Sequence, residues 1–383
     1  MRMFRVGAVL AAVIMVSACQ EPGKTVRVPV STTATAVPTT TEQADEQSLA
    51  TGKLAEGLRM AEVLALPTDI DPAYPRHVGS NVLTSARLMI VTGHHKAIEE
   101  VADEHRLLAG FVTERFNGAD ASADRSWLTH GVMRFPNAAT AATAAADFAV
   151  AATEQQGMLQ TGKWTPAMLP GSPATQLVLL EDRGRLSGMA FTPQDEFVVF
   201  TEVQAGGRPD IERTITKALE RQRPLLDSFT PTPERELAKL PYDPDGIYDL
   251  SVGDNGSGRG AYRQHGALLF AEDQQAAVSL YREVGVSAMA IQGSTVYRTT
   301  DSAGAAKLAA ATSAAIAAAW TKSVAPAPSD VPGATCLTNG EEHANAWVCL
   351  VTGGRYVGEV WGKSQDETHA AAREQQRVLA AAK

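Results

Sequence analysis

Two patterns of apolar and polar residues alternate along this chain. Period-two stretches such as Gly188–Glu202 are typical of β-hairpins, and alanine-rich stretches such as Ala138–Thr153 are typical of helices that pack closely on a sheet. A strand, a helix, two strands, an alanine-rich helix, a hairpin and a polar helix occur in this order twice. The pattern therefore predicts an α+β chain of two tandem, similar units.

Short passages that recur in the same order support the duplication. Leu-Pro-x-Asp occurs at 66–69 and again at 240–243, and a turn-rich insertion at 117–124 in the first copy explains why the offset later shrinks from 174 to 164 residues. The other matched passages are 132–137 with 296–301, 170–175 with 332–335, and 197–202 with 356–361.

Each unit is predicted to have a βαββαβ core, which is the ferredoxin-like order, plus an extra hairpin and a C-terminal helix. Asn137 and Asp301 are expected to cap the alanine-rich helices, and the first unit is expected to have its own core. The first strand and helix of each unit are predicted at Val82–Val91 and His95–Leu108, and at Ala261–Phe270 and Asp273–Val284.

The prolines Pro224, Pro231 and Pro233 interrupt the chain between the copies and place their boundary near residue 230. The chain then divides into four segments. These are a signal peptide (1–18), a lipidated Thr/Pro-rich tether (19–55), a first unit (56–230) and a second unit (231–383).

The N-terminus has the features of a bacterial lipoprotein leader. Arg2 and Arg5 precede an apolar run, 6–16, which is far shorter than the about 20 residues of a membrane-spanning helix. The run ends in Val16-Ser17-Ala18-Cys19, which resembles a lipobox and implies cleavage before Cys19 and acylation of it. An ordinary signal peptide followed by an incidental cysteine is the alternative.

The threonine-rich segment 31–41 contains a proline and no large apolar side chain, so it is predicted to be a flexible spacer. A tether of this kind spans roughly 30–35 Å by random-coil scaling. O-glycosylation of its threonines is an alternative role.

Charge excludes one class of function. The net charge is −9, and −11 once Arg2 and Arg5 are removed with the leader. A general nucleic-acid binder needs basic surface to displace counterions from phosphates, so no nucleic-acid partner is expected.

Cys336 and Cys349 remain once Cys19 is used for the anchor, and an even pair in an extracytoplasmic domain favours one disulfide. They are expected to face each other on neighbouring strands, with Gln176 at the equivalent place in the first unit. A metal site is the alternative, but no cluster of further ligands lies near them in the sequence.

Other groups of polar residues favour ordinary structural roles. His94, His95, Glu99 and His105 lack the spacing of a zinc site and are expected on a solvent-exposed helix face. Segment 243–258 lacks the third aspartate and the glutamate of a calcium loop and is predicted to form turns. No Gly-x-Ser-x-Gly elbow occurs. His130 and His265 are expected at strand ends, in contact with solvent.

The lipobox, the Thr/Pro tether, the Leu-Pro-x-Asp passages and the paired alanine-rich halves resemble a lipoprotein family of mycobacteria and related actinobacteria that carries a duplicated domain of unknown function. The resemblance implies a protein anchored by lipid on the outer face of the cell membrane. No catalytic residue, metal or cofactor carries over from it.

The sequence then favours a non-catalytic module that binds a small molecule or a protein, with a site in the cleft between the units. An envelope hydrolase whose residues meet in that cleft is the first alternative, and a structural or assembly lipoprotein is the second.

We predict that Cys19→Ala abolishes acylation, because the thioether to the lipid forms on this sulfur. The precursor then stays unprocessed or the protein leaves the membrane. Detergent-phase partitioning measures the change, and partitioning equal to that of the wild type would contradict the lipobox assignment.

Overall fold

The computed structural model describes residues 40–93, 95–118, 125–154, 161–254, 256–320, 324–340 and 346–382. The predicted signal peptide, Cys19 and the tether up to residue 39 lie outside the described residues. Among those described, the chain is a mixed α+β structure with two antiparallel sheets.

The first part of the chain contains six helices and seven strands among its described residues. They are α1 (Thr40–Ala61), α2 (Pro67–Ile70), β1 (Arg76–Val82), α3 (Ser85–Val91), α4 (Lys96–Glu104), β2 (Ala109–Phe116), β3 (Trp127–Arg134), α5 (Ala138–Glu154), β4 (Thr165–Ala167), β5 (Gln176–Asp182), β6 (Arg185–Gln194), β7 (Phe197–Ala205) and α6 (Arg208–Asp227).

Two 3-10 turns, Glu234–Lys239 and Tyr248–Leu250, precede the second set. This set comprises β8 (Gly260–Arg263), α7 (Gln264–Leu268), α8 (Gln274–Val284), β9 (Ala288–Ile291), β10 (Thr295–Arg298), α9 (Ser302–Ala319), β11 (Thr335–Thr338), β12 (Trp347–Gly353), β13 (Tyr356–Gly362) and α10 (Gln365–Ala381).

The two sheets share the order of six strands, and β4 is an additional edge strand of the first sheet. The first runs β1-β2-β3-β7-β6-β5-β4, and the second, from its opposite edge, runs β8-β9-β10-β13-β12-β11. The alanine-rich helices also correspond, because α5 contacts β5, β6 and β7, whereas α9 contacts β11, β12 and β13. Asn137 and Asp301 accept hydrogen bonds from the backbone N–H groups of Thr140 (2.9 Å) and Gly304 (2.8 Å), which confirms both as caps.

The strand order differs from the predicted ferredoxin-like core. In a ferredoxin-like core β1 and β2 would be parallel, with a third strand between them. Here β1 pairs with β2 directly, and the two strands are antiparallel. The connection of two short helices brings the chain back beside the point where it left the sheet, since Val82 pairs with Phe111. Each sheet is therefore two meanders joined at β3–β7 or at β10–β13.

The predicted strands Val82–Val91 and Ala261–Phe270 are wrong in the same way. Each covers the end of a short strand and a following helix, α3 or α7. A continuous apolar run does not distinguish a buried strand from a helix. Thr84 caps the start of α3, because its side chain accepts a hydrogen bond from the backbone N–H of Arg87 at 3.2 Å.

Helix α1 corrects the end of the predicted tether, because residues 40–55 are helical. Its composition of Ala, Glu, Gln, Leu and Lys favours helix. Its last turns are buried, with Leu58 and Met60 almost inaccessible. Helix α1 packs so closely on the 3-10 turn Glu234–Lys239 that a Cβ at Gly52 would lie 1.8 Å from the carbonyl oxygen of Leu237.

The two units share a core. Phe111 and Val132 of the first sheet belong to the same cluster of buried side chains as Tyr262 and Leu268 of the second unit, and the rings of Phe111 and Tyr262 meet edge to face at 5.9 Å. A second cluster fills the opposite face of the first sheet, under α3, α4 and α5. The expectation that the first unit has a core of its own therefore holds for one face only.

Cys336 and Cys349 form a disulfide between directly paired residues of β11 and β12, with their Cα atoms 4.1 Å apart. The matching hairpins of the two sheets place the pair Leu177 and Ala190 at the equivalent position. Gln176 is one residue away from it, so the predicted counterpart was wrong by one position.

We predict that replacing both Cys336 and Cys349 by alanine lowers the free energy of unfolding by about 2–4 kcal/mol, because the unfolded chain loses a short closed loop. Since the units share a core, fluorescence and circular dichroism should report one urea transition. Reductant should destabilise the wild type and leave the double variant unchanged. An unchanged midpoint in the double variant would contradict a stabilising role.

Candidate functional site

The polar residues singled out in the sequence do not converge. Glu99 forms an ion pair with Lys96, and His105 Nε2 lies 2.7 Å from an Asp147 carboxylate oxygen of α5. His95 is buried at the start of α4, and His94 lies outside the described residues. Asp243 accepts hydrogen bonds from the backbone N–H groups of Ile247 and Tyr248, as expected of a turn.

The histidines predicted at solvent-exposed strand ends have other positions. His130 is fully buried in the middle of β3, where its Nδ1 and Nε2 each lie 3.0 Å from a partner, Thr201 Oγ1 and Gln222 Oε1. Burial lowers the pKa of His130 to about 4. His265 lies within α7 and its Nε2 donates to the carbonyl oxygen of Leu64 at 2.7 Å.

In the part of the chain that the structure describes, three potential metal ligands come together at Cys336, Cys349 and His369. The two sulfurs are joined to each other and cannot act as thiolates. His369 Nε2 lies 2.8 Å from the carbonyl oxygen of Pro326, to which it can donate.

A cavity of about 470 Å³ opens on the face of the first sheet that α3, α4 and α5 cover. We call it the sheet cavity. Strands β2, β3, β5, β6 and β7 form its floor, and α3 and β1 form its wall. The lining side chains that carry the argument are Asn81, Glu114, Thr129, Ser187, Glu202 and Gln204 on the polar side, and Val78, Ile90, Phe116 and Trp127 on the apolar side.

Strand register places the two glutamates of the floor on one face of the sheet. Glu114 of β2 pairs with Thr129 of β3, and Thr129 pairs on its other side with Glu202 of β7. Gln204 is two residues beyond Glu202 and so lies on the same face. One face of the sheet thus presents two carboxyls, on either side of Thr129, and a carboxamide.

Two acceptors of this floor are buried without a hydrogen-bond partner. They are Oε2 of Glu202 and Oε1 of Gln204, on side chains that are only 5% and 6% exposed. The other oxygen of Glu202 accepts from the indole N–H of Trp127 at 3.4 Å, and Gln204 Nε2 donates to Ser187 Oγ at 3.4 Å. Both contacts are long, so the floor is poorly satisfied by the protein itself.

Burial dominates the electrostatics of the floor. It raises the pKa of Glu202 to about 8; the hydrogen bond from Trp127 opposes this rise, and the nearby charge of Glu114 adds a smaller rise. Burial also raises the pKa of Glu114. Glu202 is thus mostly a neutral carboxylic acid at pH 7.

The second unit has a related buried carboxyl. Glu359 of β13 accepts from the Trp361 indole N–H at 2.8 Å, and burial raises its pKa to about 7. Strand register matches Glu359 with Phe200 rather than with Glu202. The two glutamates are therefore related by face and chemistry and not by position.

A second cavity, of about 390 Å³, lies between the units and corresponds to the expected cleft. Glu62 and Tyr262 line it, but their polar groups already have partners. Glu62 accepts from the backbone N–H groups of Arg263 (2.8 Å) and Gly266 (3.1 Å), and the Tyr262 hydroxyl donates to the carbonyl oxygen of Gly258 (2.8 Å). The sheet cavity is therefore the stronger candidate site.

Sequence reasoning missed Glu114, Glu202 and Gln204. One signal was present, since Glu202 and Gln204 interrupt a strand, β7, that is otherwise dominated by apolar residues on both faces. A buried acid in such a strand needs a partner or a function. Glu114 gave no comparable signal, because it stands between two other polar residues of its strand, Thr113 and Arg115.

Two models of one protein family match most of the chain. The model described as "Domain of unknown function (DUF7373) N-terminal" matches residues 43–242, and its C-terminal counterpart matches residues 239–382. The chain belongs to the DUF7373 family.

Other comparisons are weaker. No curated protein matches this DUF7373 chain. Among solved structures, it is similar to the extracellular domain of PknH from Mycobacterium tuberculosis, with 17% identity and a TM-score of 0.29 over 40% of this chain and 81% of that one. None of the helices in the described residues has the length and apolar character to span a membrane.

We predict that Glu202→Gln removes a pH-dependent loss of stability. The folded pKa of about 8 exceeds the ordinary 4.5, so the folded state keeps a proton that the unfolded state releases. Stability contributed by Glu202 is full below about pH 4.5 and falls as the pH rises toward 8, by at most about 1.4 kcal/mol per pH unit.

Urea denaturation between pH 5 and 8 measures the slope. The slope should be shallower for Glu202→Gln than for the wild type, and Glu220→Gln, on the exposed face of α6, should keep the wild-type slope. Equal slopes for all three proteins would show that Glu202 titrates normally.

Proposed function

We propose that this DUF7373 protein is an envelope lipoprotein of the mycobacterial type, anchored through Cys19 on the outer side of the cell membrane, which binds a small ligand in the sheet cavity without transforming it. The leader and the lipobox support the location. Two or more acyl chains make a stable anchor where one chain does not.

The observation that carries the ligand-binding function is the pair of unpartnered acceptors, Glu202 Oε2 and Gln204 Oε1. Leaving a buried polar group unpaired costs about 1–3 kcal/mol. Two other buried polar side chains of this unit, His130 and Gln222, have partners at 2.7–3.0 Å. A ligand that donates hydrogen bonds would recover the cost at the floor of the cavity.

An envelope hydrolase is the second candidate, because the floor carries two carboxyls with raised pKa values. Glycoside hydrolases use such a pair, with one carboxyl held protonated as the general acid. Binding alone is favoured because burial raises the pKa of both carboxyls, whereas such a hydrolase needs the second carboxyl ionised as nucleophile or base.

Blocking the cavity tests the proposal. Ile90, 43% exposed, lies on α3 at the cavity, and Val150, 50% exposed, lies on α5 outside the cavity lining. We predict that wild-type protein purified from its native membrane carries a small molecule in native mass spectra, that Ile90→Trp loses it, and that Val150→Trp keeps it.

An empty wild-type protein, or an Ile90→Trp protein that keeps the molecule, would contradict ligand binding at this cavity. Incubation with envelope glycans separates the two candidates. Turnover that is lost in Glu202→Gln would establish the hydrolase instead.

A further inference from the structure

The chemistry of the floor narrows the ligand class, an inference that rests on the proposed function. We propose that the sheet cavity takes an organic cation with a primary ammonium group on an apolar body. The ammonium lies against Glu202, Gln204 and Glu114, and the body lies against the apolar wall.

When Glu202 is ionised, the floor offers hydrogen-bond acceptors and lacks donors. Oε2 of Glu202 and Oε1 of Gln204 are buried acceptors without partners, and the carboxyl of Glu114 stands beside them on the same face. A primary ammonium has three N–H donors and no acceptor. One such group therefore satisfies all three side chains, whereas a hydroxyl donates only once.

The charged side chains of the sheet cavity also favour a cationic ligand. Carboxyls reach the cavity from three strands, as Glu114 of β2, Glu202 of β7 and Asp182 of β5, and Arg87 of α3 is the cationic side chain in the described lining. Arg125 lies beside the cavity, stacked at 4.5 Å over the ring of Phe116. Glu114 is the charged group that acts on the pKa of Glu202, so the floor itself favours a cation over an anion.

The wall suits an apolar body. Val78 and Ile90 are each 43% exposed although both are large and apolar, and they line the cavity with Val91 and Phe116. Exposed apolar side chains gathered at a concave site are typical of a ligand contact. Trp127, whose indole N–H already points to Glu202, adds an aromatic face that favours cations.

Calorimetry with three matched probes tests the proposal on the full chain. Hexylammonium has charge and donors, hexyltrimethylammonium has charge without donors, and hexanol has one donor without charge. We expect hexylammonium to bind at least tenfold more tightly than either of the others. Ile90→Trp should abolish its binding, and Val150→Trp should not.

The proton balance gives a second readout. Glu202 is mostly protonated in the free protein at pH 7, and a bound ammonium stabilises its carboxylate, so binding should release up to one proton. Titrations in buffers of different ionisation enthalpy measure that proton. The affinity for hexylammonium should rise from pH 6 to about 8, since an alkylammonium stays charged up to about pH 10.

Glu202→Gln should bind hexylammonium at least tenfold more weakly than the wild type and release no proton, and it should bind hexanol as the wild type does. The control variant Glu220→Gln should match the wild type in every titration. Hexanol binding as tightly as hexylammonium, or binding of hexylammonium without proton release, would overturn the ammonium assignment and leave ligand binding standing. If no probe binds and the native protein is also empty, the proposed function itself fails.

Discussion

The arrangement of the two halves depends on the hydrogen bonds of Glu56, a fully buried carboxylate on α1. One of its oxygens accepts from Arg134 Nη1 at 2.8 Å and from the backbone N–H of Thr232 at 2.9 Å, and the other accepts from the Thr232 hydroxyl at 2.9 Å. These bonds join α1, strand β3 and the segment between the units. Removing one partner of such a buried pair typically costs about 3–5 kcal/mol.

Because α1 is held in this position, the two faces of the first sheet have different surroundings. One face is closed by α1, α6 and the second unit, and Glu56 and His130, which are buried there, have hydrogen-bond partners. On the other face the rings of Phe148, Phe191 and Phe200 stack at 5.0 and 5.4 Å and close the core under α5. Glu202 lies two residues beyond Phe200 on the same face, where the sheet cavity begins.

The contrast between the two faces explains why the cavity is interpreted as a site. The chain satisfies the buried carboxylate of Glu56 and the half-buried one of Glu62, but it leaves Oε2 of Glu202 without a partner. Burying such a group is unfavourable unless something else binds it. The raised pKa of Glu202 is the response of the free protein, which lowers the cost by keeping the carboxyl protonated.

Much of the architecture followed from the sequence, because strand alternation, helix caps and recurring passages are local signals. The caps Asn137 and Asp301, the disulfide and the correspondence of the alanine-rich helices were predictable in this way. Sheet order was not, since it depends on where the α3–α4 connection returns the chain. The site was not either, because Glu114 and Glu202 are 88 positions apart and meet only through the pairing of each with Thr129.

The most direct test of this account is a crystal structure of the protein purified from its native membrane, at a resolution that shows ordered water. The account predicts non-protein density in the sheet cavity, with a donor atom within hydrogen-bond distance of Glu202 Oε2 and of Gln204 Oε1. A cavity filled only with water, or one that has collapsed so that both oxygens accept from protein groups, would contradict it.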